Sequence, residues 1–169
     1  MTGSIVFSSA ILIALAIVKT NILAFVAIGG ATPDLVLIVL LYYGHRNGAM
    51  PGQISGFAAG LVEDFLSVSP FGFHALLRTV IGFLTGMTHN RMVLDPILLP
   101  VLYVFIGTVL KGLLAAVIGS IFEIEEVFPA LFGPIFFIEA AYNAVLAPLI
   151  FGLLGMVKPL NQAVRSRTL

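Results

Sequence analysis

Apolar runs long enough to cross a bilayer fill most of this chain, and the few charges between them are sorted by side. A spanning helix needs about 20 consecutive, mainly apolar residues. Only 9% of the 169 residues are charged, and the mean hydropathy is +1.14. A water-soluble domain cannot be covered with so little polar surface. The expected fold class is therefore an all-α membrane protein, a compact bundle of about six transmembrane helices with little outside the bilayer. A transmembrane β-barrel is disfavoured, because the apolar runs are continuous and do not alternate over short segments.

Glycine and proline punctuate the runs. The expectation is a single integral membrane domain over residues 1–169, with spans at roughly 5–24, 33–43, 50–66, 71–87, 97–118 and 130–156. The end of span one is open, because Ile22 to Ile28 is also apolar. No basic segment precedes Ile5 and no A-x-A-like site follows Val18, so this run reads as a retained span, not a removed signal peptide. Pro33 is expected to open span two. Pro134 and Pro148 are expected to bend or delimit span six.

An even number of spans puts both termini on one side. Arg46, Arg91, Lys158, Arg165 and Arg167 then share that side. The other side holds Asp34, Glu63, Asp64, Glu123, Glu125 and Glu126, with Lys19 as its one basic residue. The positive-inside rule assigns the basic side, and both termini, to the cytoplasm.

Several function classes fall away. The chain has no cysteine, which excludes disulfides, thiolate nucleophiles and Cys-based metal sites. Net charge is +0 and the basic residues are scattered, so nucleic acid is not an expected partner. No P-loop, dinucleotide fingerprint or G-x-S-x-G elbow is present, and no catalytic set, cofactor or metal is expected.

Three groups of residues stand out. Gly52, Gly56 and Gly60 in span three, and Gly82 and Gly86 in span four, recur at i+4 and make flat helix faces. Such faces work by close van der Waals contact, either within the bundle or against a partner's transmembrane helix. Ala140 and Ala144 repeat the spacing in span six. Arg78, Lys111 and Glu139 form an intramembrane charged layer, each roughly 12 to 14 Å from the outer boundary at 1.5 Å per residue. An unpaired charge there is expensive, so Glu139 is expected to pair with Lys111 or with Arg78. Two cations against one carboxylate would leave a spare positive charge, and with it a polar cavity or a site for an anionic lipid or substrate. Asp34, Glu63, Asp64 and His74 form an outer-mouth polar cluster. One histidine and two adjacent acids are few for a metal site. Glu63 and Asp64 are better suited to accept hydrogen bonds from the start of span four, or from Arg78.

Pro33-Asp34-Leu35, the glycine-rich helix through Gly60-Leu61 and Asp64, and Pro70-Phe71-Gly72-Phe73-His74-Ala75-Leu76 together resemble the MreD family of bacterial rod shape-determining membrane proteins. The family pattern reads roughly as P-D-L, a glycine-rich helix, G-L-x-x-D, a short loop and P-x-G-x-H-A-L. Phe71 and Phe73 stand where leucine is common. The resemblance implies a non-enzymatic membrane subunit of the cell-elongation machinery. Its partner would be an MreC-like single-span protein. MreB and the peptidoglycan synthase pair RodA and PBP2 would be engaged indirectly, alongside lipid and a second copy of the chain. The family fold is similar to the substrate-binding subunit of energy-coupling-factor transporters, which keeps a small-molecule-binding transporter subunit as an alternative. A membrane enzyme for lipid-linked substrates would need a convergent acid–base pair, and none stands out.

Overall fold

The computed structural model describes residues 2–21, 27–89, 97–124, 130, 133–157 and 160, with the side chains of Thr2 and residues 19–21 left out. Among them are six helices: α1 (Thr2–Asn21), α2 (Leu35–Asn47), α3 (Ala49–Leu66), α4 (Phe73–Gly86), α5 (Leu98–Ile121) and α6 (Pro134–Met156). The described residues contain no strand, only an isolated bridge between Ile28 and Ala31. Arg91, Asp95, Glu125, Glu126, Lys158, Arg165, Arg167 and the Lys19 side chain lie outside the described set.

The helix α2 is the hub. It touches every other helix, and its residues from Val36 to His45 are buried without a break. A helix apolar on all sides belongs in the middle of a bundle. Pro33 does not open it, contrary to expectation. Asp34 is the N-cap, its carboxylate accepting from Leu37 N at 3.0 Å, and an N-cap residue precedes the first helical turn. At its other end α2 continues past Tyr43 to Asn47. Gly48 then turns the chain into α3 within one residue, at φ 97° and ψ 177°. That backbone region is essentially closed to residues with a Cβ.

The helices α3 and α4 pack backbone to backbone. Gly52 lies against the Gly82 carbonyl, Gly56 against that of Arg78, and Gly60 against that of His74. A Cβ at any of the three would overlap main-chain atoms. Gly82 and Gly86 complete the contact from α4, against Gly52 and Ala49. The glycine faces are therefore occupied within the chain and are not free for a partner's helix.

The helix α6 starts at Pro134, later than the residue 130 expected for span six, with Pro134 in the first turn where its missing N–H leaves no gap. Pro148 lies inside the helix and does not end it. Among the described residues, two helices, α5 and α6, are long and apolar enough to cross a membrane by length and composition. Shorter apolar helices cover Gly3–Val18 and Phe73–Gly86. On α5 and α6, Ile106, Leu113, Val117, Val145 and Leu149 point outward and are exposed.

Candidate functional site

Asp34, Glu63, Arg78, Lys111 and Glu139 form one chain of ion pairs linking α2, α3, α4, α5 and α6. Arg78 on α4 is its centre and is 2% exposed. Its Nη2 donates to both oxygens of Asp34, at 3.0 and 2.9 Å, and to Glu63 Oε1 at 3.0 Å. Its Nε donates to Glu63 Oε2 at 2.7 Å. The planar guanidinium suits this task, because its fixed fork of donors can meet two carboxylates at once. Its Nη1 is buried without a hydrogen-bond partner among the described residues.

Lys111 on α5 extends the chain. Its Nζ donates to Asp34 Oδ2 at 3.1 Å and pairs with Glu139 on α6. Asp34 is thus shared by two cations, while it also caps α2. Neighbouring polar groups hold the same corner. Asn143 Oδ1 accepts from Asp34 N at 2.8 Å, and Asn143 Nδ2 donates to Thr108 Oγ1 at 3.2 Å. Asn143 and Thr108 are fully buried.

Asp64 does a different job. Its carboxylate accepts from the main-chain N–H of Gly72, His74 and Ala75 at 3.0, 2.8 and 3.1 Å. It caps α4 from the end of α3, where the orphan donors and positive end of the helix dipole favour an anion. His74 Nδ1 also lies 3.0 Å from Asp64 Oδ1. Gly72 allows this approach by adopting a left-handed backbone, φ 97° and ψ −14°.

The sequence groups are therefore redrawn. Asp34 and Glu63, grouped with the outer mouth, join Arg78. Asp64 and His74 stay together as a cap. Arg78 does not pair with Glu139; Lys111 does. Among the described residues no spare positive charge remains in this layer, because Arg78 and Lys111 face three carboxylates, Asp34, Glu63 and Glu139. Asn143 went unremarked in the sequence, though it follows Glu139 by four residues and so shares its helix face. A second polar set also went unremarked. His45 Nδ1 lies 2.8 Å from Thr88 Oγ1, which lies 3.0 Å from the Tyr103 hydroxyl, tying α2 and α5 to the turn after α4.

Apolar side chains outside and paired charges inside define an all-helical membrane protein whose polar residues hold helices to one another. Residues 1–157 match the family of the rod shape-determining protein MreD, and the chain belongs to that family. Its class is thus that of membrane proteins that determine cell shape. No curated protein and no solved structure gives a match.

Proposed function

We propose that this chain is a non-enzymatic, multi-pass subunit of the bacterial cell-elongation complex in the cytoplasmic membrane. It binds an MreC-like single-span protein and thereby supports lateral peptidoglycan synthesis. All six helices lie in the bilayer, in one domain, with both termini in the cytoplasm. The α2 helix is only about 20 Å long at 1.5 Å per residue. It need not match the hydrocarbon thickness, because the surrounding helices screen it from lipid. The likeness to the binding subunits of energy-coupling-factor transporters is part of the same proposal.

The observation that carries this reading is the family match over residues 1–157. The family-type motif residues support it, since Asp34 and Asp64 each cap a helix start. In this reading Arg78, Lys111 and Glu139 fix helix order, and the outer ends around Asp64 and His74 shape the surface offered to the partner.

Affinity purification of the tagged chain from its native membrane in mild detergent tests it. Stoichiometric recovery of an MreC-like protein is expected, and its absence would overturn the proposal. A groove between α5 and α6 favours a second reading, a small-molecule-binding transporter subunit. Recovery of transporter ATPase subunits would be its signature.

A further inference from the structure

A groove of about 310 Å³ lies between α5 and α6, beside the start of α6. Gly112, Ala115, Pro134 and Phe136 contribute apolar walls, and Lys111 and Glu139 are its charged lining residues. Glu139 lies about 8 Å along the helix from Pro134. The groove thus leads from the helix end to an ion pair set well inside an apolar surface.

The two charges of that pair are matched unequally. Lys111 faces two carboxylates, Asp34 and Glu139. Asp34 is held by Arg78 as well. Glu139 has Lys111 as its ion-pair partner among the described residues, shares it with Asp34, and bonds through Oε1. Its side chain is 20% exposed, against 2% for Asp34. An ionised carboxylate can accept about four hydrogen bonds. Among the described residues Glu139 Oε2 therefore has unused acceptor capacity beside apolar walls, where a charge is poorly solvated. An anion entering here would meet Glu139 beside a lysine already matched twice. A cation meets the under-matched group.

We propose that the α5–α6 groove binds an amphiphile through its ammonium group, with Glu139 as counter-charge and the apolar walls receiving the adjoining hydrocarbon. The site takes a cationic head and rejects an anionic lipid. The ammonium can come from an aminophospholipid of the surrounding membrane or from a free alkylamine. The proposal stands apart from the choice of protein partner.

Native mass spectrometry of the purified full chain, titrated separately with phosphatidylethanolamine, phosphatidylglycerol and a free alkylamine, tests it. At least one of the two ammonium probes is expected to bind about tenfold more tightly than phosphatidylglycerol. Preference for the phospholipid over the alkylamine marks the membrane as the source, and the reverse marks a free amine. Glu139→Gln should remove the preference. Ala115→Phe leaves both charges in place and fills the groove, so it should weaken binding of the preferred probe even where Glu139→Gln does not fold. Equal binding of phosphatidylglycerol and both ammonium probes would overturn the proposal, as would undiminished binding of the preferred probe in Ala115→Phe.

Discussion

Arg78 and Asp34 form a two-point contact, with Nη2 at 3.0 and 2.9 Å from the two carboxylate oxygens. The pair joins the N-cap of the central helix to the middle of α4. Because the same Asp34 carboxylate caps α2 and receives Lys111, one acidic side chain fixes three helices.

Removing the arginine should therefore be severe. Arg78→Ala leaves Asp34 and Glu63 buried without their shared cation, a loss of about 3–5 kcal/mol by the cost of orphaning a buried charge. Arg78→Lys keeps the charge but lacks the fork that reaches both carboxylates, so it should recover only part of the stability. Thermal aggregation of the detergent-purified variants measures both. Equal stability of Arg78→Ala and wild type would show that the network does not hold the helices.

The glycine contacts give a site-specific contrast. Gly56→Ala pushes a methyl into the Arg78 carbonyl region, and overpacking of that kind costs about 1–3 kcal/mol. Gly152→Ala meets nothing within 4 Å. It should change stability by less than about 0.5 kcal/mol or raise it slightly. The same unfolding assay separates them, and similar effects at both positions would contradict close α3–α4 packing.

Most helix boundaries were legible in the sequence, and the Lys111–Glu139 and Arg78–Glu63 pairs stood among its expected alternatives, but the choice between those alternatives was not legible. Gly48, Gly72 and Pro134 sit at helix boundaries for reasons of backbone geometry, which act locally. The choice between Glu139 and Glu63 as the partner of Arg78 depends on how far each helix slides along its neighbour. Hydropathy carries no information on that offset. Asp34 groups with the outer mouth in the sequence because it opens a span, yet α2 starts inside the bundle, and the carboxylate is 2% exposed. Asn143 was missed for the opposite reason. It carries no charge and sits inside an apolar run that hides it from hydropathy, although a lone amide there needs partners.

Asp64 is expected to act through the start of α4. Asp64→Ala removes acceptors from the N–H groups of Gly72, His74 and Ala75 and should destabilise by about 0.5–2 kcal/mol, the range for loss of an N-cap. Hydrogen exchange of those amides should speed up while those of Ile81 and Gly82 change little. Weakened recovery of the partner should accompany it. Unchanged exchange and unchanged recovery would remove Asp64 from any organising role.

Asn143→Leu should cost about 1–3 kcal/mol, because it leaves buried polar groups of Asp34 and Thr108 without their partner. Asn143→Asp should also be damaging, since it adds a carboxylate to a corner that already holds Asp34 and Glu139. A thermal-stability series over the two variants checks the order, and a neutral Asn143→Leu would contradict the described hydrogen bonds.

The most direct test of the account is depletion of this chain in its own host, with cell outline and incorporation of a fluorescent D-amino acid followed together. The account predicts loss of regular cell width and a fall in sidewall labelling, both restored by the wild-type chain. Normal outline and unchanged sidewall labelling after full depletion would contradict it.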